Sequence, residues 1–327
     1  MKRLSDHLRD LPRTSASPTL SVLLLIGVLC PLIAPLLNEC DSFVCWIADL
    51  TTHWQWVYLT AALWLLARTE GLAQKIATVT AMLAAWNLGA NWTPLEQPKP
   101  NENVFRVIQA NVNVANPSPA KLLAWVREEK PDVLVIEEVS PQWRYKLETV
   151  PGYRYHQVLP SSDSFGIAVL SRHPMRVLSP DTPAGRDAMF KTTDIDVEVE
   201  WKGERVRVLA THPMPPVRSY LDALRDKYLA ESAQSLGRSE DPSLLVGDFN
   251  ATPWSGAAVG IRKAGLDFSS ALIPTWPTMF GVLAVIPIDH VVINKRWGVA
   301  NRQRGPDIGS DHFPIMVDLV LKDDIAK

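Results

Sequence analysis

The sequence has 327 residues, 47% of them hydrophobic, and a formal net charge of -2 at pH 7. This length predicts two domains, and the charge excludes a chain-wide cationic field of the kind that binds nucleic acid, although a local basic patch stays open. The three cysteines, Cys30, Cys40 and Cys45, all lie near the N-terminus.

Apolar segments dominate the N-terminal part of the chain. Three of them, 19–37, 50–67 and 76–94, predict an N-terminal bundle of about three transmembrane helices, of which the second is the weakest. Pro31 and Pro35 would kink the first helix, which membrane helices tolerate. A cleaved signal peptide and three buried helices of a soluble protein are the alternatives. We favour a retained anchor because the first apolar region is long and further apolar segments follow it.

The charges of the loops predict the topology. Basic residues precede the first apolar segment, whereas the loop 38–53 carries acidic residues and neither Lys nor Arg. The positive-inside rule therefore places the N-terminus in the cytoplasm and, after three spans, the C-terminal domain outside it. Cys40 and Cys45 would then lie on the oxidising side of the membrane, where they could pair.

A proline-rich linker, 94–103, separates the membrane region 1–93 from a C-terminal domain at 104–321. Strand, helix and strand follow one another at the start of this domain, which predicts an α/β fold. A later pair of alternating strands predicts an antiparallel hairpin that turns at Lys202–Gly203. The predicted strands lie at 104–110, 133–136, 165–171, 195–201, 204–211, from 244, at 288–293 and at 315–320, and the predicted helices begin at 118 and 219.

Polar side chains of catalytic type stand at the ends of most of these strands. One such ending is more often a turn or a structural hydrogen bond, because Asp and Asn favour turns. Here carboxylates, amides and two histidines recur together, which predicts one site: oxygen ligands suit Mg²⁺, and histidine suits proton transfer. The residues are Asn111, Glu138, His212, Asp248, Asn250, Asp289, Asp311 and His312.

The order of these motifs resembles the endonuclease/exonuclease/phosphatase superfamily, the deoxyribonuclease-I-like fold. The resemblance covers about 104–321 and rests on Asn111, Glu137-Glu138-Val139, Thr211-His212, Gly247-Asp248-Phe249-Asn250, Ile288-Asp289-His290 and Ser310-Asp311-His312. It implies a four-layer α/β sandwich of two packed mixed sheets with a metal-dependent phosphoesterase site at one edge. Bacterial members with membrane anchors are known, so we expect the bacterial inner membrane as the location.

The resemblance also implies roles on the metal side of the site. Glu138 would be the direct Mg²⁺ ligand, with Mn²⁺ as a substitute, and Asp311 would lie beside the metal. Asn111 would support the metal and the phosphate. The family often has Gln where Glu137 stands and Asp where Asn113 stands, so Glu137 would alter metal affinity or face away, and Asn113 would have a supporting role.

On the nucleophile side, His312 would be the general base that activates water, and Asp289 would orient it. Asp248 and Asn250 would orient the nucleophile and hold the phosphate, to which His212 would donate. Two further histidines, His173 and His290, lie beside motifs, and we interpret both as structural.

The leading functional hypothesis is a membrane-anchored, Mg²⁺-dependent phosphodiesterase that acts on a lipid-linked or small extracytoplasmic phosphoester by in-line attack of water. The alternative is an extracytoplasmic endo- or exonuclease acting on DNA or RNA. A third hypothesis is an inactive, membrane-tethered binding domain, which the full set of motif residues disfavours. The motifs do not choose the substrate, and the oligomeric state is open.

Overall fold

The computed structural model describes residues 18–38, 40–96, 103–179, 193–270, 272–283 and 285–322. The predicted linker 94–103 therefore lies partly outside the described residues, as do the basic residues that precede the first apolar segment. The helices are α1 (Thr19–Leu29), α2 (Ala34–Leu37), α3 (Phe43–Thr52), α4 (Gln55–Arg68), α5 (Gly71–Ala90), α6 (Ala120–Glu129), α7 (Pro141–Glu148), α8 (Ser219–Gly237) and α9 (Gly256–Lys263), with 3-10 turns at Cys30–Ile33 and Thr278–Leu283.

The C-terminal part contains two six-stranded sheets. Their strands are β1 (Phe105–Asn111), β2 (Val133–Glu137), β3 (Tyr155–Leu159), β4 (Ile167–Ser171), β5 (Met175–Ser179), β6 (Ile195–Trp201), β7 (Glu204–Ala210), β8 (Ser243–Asp248), β9 (Asp267–Phe268), β10 (Asp289–Ile293), β11 (Trp297–Arg304) and β12 (Ile315–Leu321). The strand orders are β11-β12-β1-β2-β4-β3 and β5-β6-β7-β8-β10-β9. Both sheets are mixed, because β1–β2 and β7–β8 are parallel pairs and the other pairings are antiparallel.

Alternation along the strands divides the apolar side chains between two faces. One set, including Val107 and Val246, fills the space between the two sheets. The opposite set packs under α6 and α7 on one sheet, and under α8 and α9 on the other. The result is a four-layer α/β sandwich of two packed mixed sheets, which is the fold that the family resemblance implies.

The number of predicted membrane spans is wrong. Among the described residues, one helical segment, Thr19–Leu37, is long and apolar enough to cross a bilayer. The second predicted span, 50–67, is divided between α3 and α4, which leaves α4 with 14 residues. The third predicted span, 76–94, overlaps α5 (Gly71–Ala90). This helix contains polar residues near both ends, among them Lys75 and Asn87, which lower its hydropathy.

The N-terminal helices nevertheless pack together and against the sandwich. The 3-10 turn at Cys30–Ile33 interrupts the first segment at Pro31, where the sequence predicts a kink. Asn87 of α5 donates to the Val28 carbonyl of α1 (2.9 Å). The predicted loop 38–53 is instead mainly helix α3, and Cys40 and Cys45 at its start form a disulfide.

Candidate active site

The site lies at the edge of the sandwich where four strands meet. Asn111 ends β1 and Glu138 follows β2, and this parallel pair brings both residues to the same edge. Asp248 ends β8 in the other sheet, and antiparallel β10 begins there, so that Asp289 is directly opposite Asp248. His312 reaches this edge from the loop that precedes β12.

His312 and Asp289 form a buried hydrogen-bonded pair. The Nδ1 of His312 is 2.8 Å from Oδ2 of Asp289, and Oδ1 of Asp289 accepts a hydrogen bond from Gln109 Nε2 (2.8 Å). Burial opposes the charged form of His312, but the carboxylates of Asp289 and Asp248 outweigh it and raise the pKa of His312 to about 10. The pair fixes the ring and leaves its Nε2 directed toward Asp248, at 3.7 Å from Oδ2.

Asp248 is the central carboxylate of the site. Its Oδ2 accepts from Asn111 Nδ2 (3.0 Å), and its Oδ1 accepts from the backbone N–H of Asn250 (2.9 Å). Burial disfavours its charge, but His312 and His212 more than offset that and hold the pKa of Asp248 well below its usual range. Asp248 therefore stays ionised and sets the negative potential between the two histidines.

His212 and Asn250 form the opposite side of the site. The Nδ1–H of His212 donates to the Ser164 carbonyl (3.0 Å), so Nε2 points inward, 3.6 Å from Asp248 Oδ2. Burial lowers the pKa of His212, but the nearby carboxylate of Asp248 raises it to about 9. Asn250 has a left-handed backbone (φ 50°) and donates through Nδ2 to the Pro213 carbonyl (3.1 Å). Both side chains thus present N–H groups that suit phosphate oxygens.

Glu138 carries a carboxylate at the mouth of the site. Its backbone is left-handed (φ 60°), and its two oxygens accept from Asn111 Nδ2 (3.1 Å) and from the Val114 N–H (2.9 Å). Asp311 is exposed, and its Oδ1 accepts from Asn113 Nδ2 (2.8 Å). Asn113 therefore donates a hydrogen bond to Asp311, the second residue predicted at the metal, and adds no negative charge of its own.

A cavity of about 610 Å³ opens over these groups, within the range of small-ligand sites. Its lining includes site residues of the catalytic domain and three residues of the N-terminal part. Neither Lys nor Arg is among the described residues that line it. The lining residues are Leu50, His53, Trp54, Glu138, Asp163, Ser164, Phe165, His212, Met214, Pro215, Pro216, Val217, Asp248, Asn250, Trp276, Ile286, Ile288, Asp311 and His312.

Two groups beneath the cavity were not assigned to the site from the sequence. Gln109 bridges the sheets by donating to Asp289 and to Glu137 Oε2 (2.9 Å). Glu137 is fully buried, and burial raises its pKa to about 8. Glu137 thus lies below the site and is absent from the cavity lining. Gln109 was detectable in principle, because it shares the inward face of β1 with Asn111, two residues away.

His173 and His290, which we interpret as structural from the sequence, are not among the described residues that line the cavity. His290 packs against Phe249 and Phe268 and donates from Nε2 to the Ala251 carbonyl (3.0 Å). His173 is paired through Nε2 with Asp132 (2.6 Å). The structure therefore brings together seven of the eight predicted site residues in direct contacts, with Asp311 joined to them through Asn113 and the shared cavity.

The profile of the Endonuclease/Exonuclease/phosphatase family matches residues 108–312. The chain belongs to this family. Members are phosphoester hydrolases, so the chain is a phosphoester hydrolase by family. Enzymes of this superfamily generally use divalent metal ions, and the buried group Asp248, Asp289 and His312 has ligand atoms close enough to hold one. The match begins beyond the N-terminal helices, which contribute Leu50, His53 and Trp54 to the cavity.

Solved structures share the fold of the catalytic part. A family protein from Beutenbergia cavernae DSM 12333 is 21% identical, with a TM-score of 0.53 over 68% of this chain and 73% of that one. A D. rerio TDP2 humanized by 14 mutations is 18% identical, with a TM-score of 0.53 over 66% of this chain and 98% of that one. A Bacteroides vulgatus family protein is 16% identical, with a TM-score of 0.53 and coverages of 68% and 100%. No curated protein matches the sequence.

Proposed function

We propose that this chain is a Mg²⁺-dependent phosphodiesterase, anchored in a membrane, that hydrolyses a lipid-linked or small phosphoester. The observation that carries the proposal is the His312–Asp289 pair (2.8 Å), which faces a 610 Å³ cavity beside the ionised Asp248. A general base held by a carboxylate, next to N–H donors, is the arrangement that hydrolysis by activated water needs.

The residues divide the work of in-line attack. His312 takes the proton of the attacking water at Nε2, while its Nδ1–H remains bonded to Asp289. Asp248 orients that water, and the N–H groups of His212 and Asn250 stabilise the charge that develops on the phosphoryl oxygens. Losing one such group reduces the rate by about a hundredfold or more.

The donor set at Glu138 fits Mg²⁺. Glu138 and Asp311 supply hard carboxylate oxygen ligands at the mouth of the cavity, and Mn²⁺ prefers similar ligands. A bound Mg²⁺ would polarise the phosphoryl group and neutralise its charge. An ion between Asp289 and His312 would instead have to break their hydrogen bond, so Glu138 is the better ligand. A cation near these carboxylates would also lower the pKa of His312 toward the neutral range in which a base works.

Exposed apolar surface supports a retained anchor. The segment Thr19–Leu37 has a mean hydropathy of 2.6, and large apolar side chains cover its outside, which is unusual for a soluble surface. These side chains are Leu20, Val22, Leu23, Ile26, Leu29, Leu32, Ile33 and Leu36. The inner side of α1 packs on the rest of the protein through Val28 and Gly27, which a cleaved leader would not do.

One span has the same consequence for topology as three. The basic residues that precede the segment favour a cytoplasmic N-terminus, and an odd number of crossings then leaves the catalytic domain outside the cytoplasm. The Cys40–Cys45 disulfide just beyond the segment supports this side, because disulfides persist in oxidising compartments.

A nuclease is the second candidate, and the cavity disfavours it. Tight binding of a nucleic-acid backbone relies on Lys and Arg that neutralise phosphates, and the described lining contains neither. A D. rerio TDP2 that is 18% identical was solved with a single-strand DNA product. At 18% identity, the similarity supports a common fold and does not indicate a common substrate.

The proposal is tested with the full chain in a maltoside detergent, which contains no phosphate. Hydrolysis of bis(4-nitrophenyl) phosphate is measured across a Mg²⁺ titration and in chelator, for the wild type, Glu138→Gln and His312→Asn. His173→Asn is the matched control, since His173 lies outside the cavity. We expect metal-dependent hydrolysis that both site variants lose and the control keeps. Equal hydrolysis in chelator contradicts the proposal, and faster nicking of plasmid DNA than of the small diester makes the protein a nuclease.

A further inference from the structure

Three residues outside the family domain form part of the cavity wall. Leu50 of α3 lines the cavity, and so do His53 and Trp54 in the turn between α3 and α4. The catalytic groups Glu138 and His312 line the same cavity. The substrate that reaches the catalytic groups therefore also meets the N-terminal part of the chain.

The N-terminal wall is fixed to the catalytic domain by buried polar contacts. Asp49 of α3 accepts from the Gly256 N–H (2.6 Å) and from Arg225 Nη2 (3.0 Å). His53 Nδ1 is 2.9 Å from the Thr252 hydroxyl. Arg225 lies on α8, and Thr252 and Gly256 follow the Asp248–Asn250 loop, so α3 is fixed beside the segment that carries two of the site residues.

A fourth contact holds α3 beside the segment 214–217 of the cavity wall. Trp46 donates from Nε1 to the Pro216 carbonyl (2.7 Å). Pro216 lies in the segment 214–217, whose four side chains line the cavity between His212 and α8. The wall that faces the phosphate site is thus built from two segments that contact each other, and its position is defined.

Apart from His53, the side chains of this wall are apolar. Leu50, Trp54 and the segment 214–217 line the cavity together with Trp276 and Ile286. The described lining contains neither Lys nor Arg, the side chains that would bind a second phosphate or a polyanion. Apolar surface of this kind favours hydrocarbon, because each methylene that it buries is removed from water.

An apolar stripe on α3 connects the cavity to the outside. Phe43, Ile47 and Leu50 follow one another at spacings of four and three residues, which places them on one side of α3. Trp54 lies in the turn just after α3 and lines the same cavity as Leu50. Phe43 is 67% exposed, Ile47 is 42% exposed and Leu50 is half-buried. The stripe begins a few residues after the candidate span Thr19–Leu37, which would place its exposed end at the membrane surface.

We propose that Leu50 and Trp54 bind the hydrocarbon part of an amphiphilic phosphodiester, and that the substrate is a membrane lipid. The inference rests on the proposed phosphodiesterase function and assigns its substrate class. The phosphodiester lies at Glu138, Asp248 and His312, while the chain extends along the stripe toward the bilayer. The N-terminal part then determines specificity as well as attachment.

The test uses alkyl 4-nitrophenyl phosphodiesters with methyl, hexyl and dodecyl groups, which differ in the chain alone. The full chain is assayed in maltoside detergent with Mg²⁺. We expect kcat/KM to rise from methyl to dodecyl by about tenfold or more, a difference of about 1.4 kcal/mol. Trp54→Ala and Leu50→Ala should remove most of that rise, mainly through KM, and Trp54→Phe should restore part of it.

Trp64→Ala is the matched control, because Trp64 is exposed on α4 and is not part of the cavity lining. It should keep the full dependence on chain length. Equal kcat/KM for the three esters, with Glu138-dependent hydrolysis intact, overturns the lipid assignment and leaves the phosphodiesterase function standing. A short oligonucleotide that is hydrolysed faster than the dodecyl ester also overturns the assignment. No hydrolysis of any ester by the folded chain refutes the phosphodiesterase itself.

Discussion

Replacing Asp49 tests whether the N-terminal helices and the catalytic domain form one structural unit. Asp49 is fully buried between α3 and the catalytic domain. Its partner Arg225 is buried too, contacts Asp222 and Asp226 (2.7 Å each), and donates from Nη1 to the Asn250 carbonyl (2.9 Å). Asp49→Ala therefore removes one carboxylate from a buried cluster of charged side chains. Arg225 of this cluster also holds the Asp248–Asn250 loop through the Asn250 carbonyl.

The size of the effect follows from these contacts. Breaking a buried ion pair destabilises by about 3–5 kcal/mol, and we expect the lower end because two carboxylates stay beside Arg225. Asp49→Asn keeps the shape and an acceptor for the Gly256 N–H, so its destabilisation should be about 2 kcal/mol. At about 2–4 °C for each kcal/mol, Asp49→Ala should unfold roughly 6–12 °C below the wild type, and Asp49→Asn roughly 4–8 °C below it.

The assay is thermal unfolding of the full chain in detergent, followed by tryptophan fluorescence, together with hydrolysis of a water-soluble phosphodiester. Asp41→Ala is the control, because Asp41 lies on the same connection and is exposed. We expect the control to unfold as the wild type does, and Asp49→Ala to lose activity through kcat as Asn250 loses its support. Unfolding of both Asp49 variants at the wild-type temperature refutes the docking of α3.

The remaining predictions concern the site itself. Glu138→Gln should lower metal-dependent hydrolysis by about a hundredfold and weaken the response to Mg²⁺ titration, because an amide is a poorer ligand; an unchanged Mg²⁺ midpoint would remove Glu138 from the metal. Asp289→Asn should lower kcat by about a hundredfold or more while the fold is retained, since the amide oxygen accepts from Gln109 and an NH2 group then faces His312 Nδ1 in place of the carboxylate oxygen; far-ultraviolet circular dichroism is the check on folding. Burial raises the pKa of Glu137 to about 8, so the folded state keeps a proton that the unfolded chain releases. Measured in chelator, stability relative to Glu137→Gln should be full below about pH 4.5 and fall as the pH rises to about 8; a flat difference would contradict the assigned burial.

The site of the catalytic part was predictable because polar residues of catalytic type directly follow apolar strands in the sequence. Asn111, Asp248 and Asp289 each stand where an apolar run meets polar residues, and sheet geometry then brings strand ends together. The roles assigned to individual site residues stay predictions, since they depend on a substrate and a metal.

The N-terminal part was less predictable because hydropathy does not show what a helix packs against. The acidic residues of 38–53 indicate a loop, yet Asp49 is buried by Arg225, a partner 176 residues away. A local signal for α3 was present: Ser42 accepts from the Cys45 N–H as an N-cap, and apolar residues recur at helical spacing after it. Long-range ion pairing of this kind has no local pattern in a sequence.

The family match and the residues that line the cavity have different boundaries. The match starts at residue 108, whereas the wall opposite the phosphate site begins with α3, far upstream. A fragment cut at the family boundary would retain His312, Asp289 and Asp248 but would leave the Asp49 pocket empty and one side of the cavity open to water. Relatives that share the hydrolytic domain and carry a different upstream segment should thus keep the chemistry and change the molecule on which it acts. Substrate range in such chains would evolve by exchanging the upstream helices, without altering the strands that hold the catalytic groups.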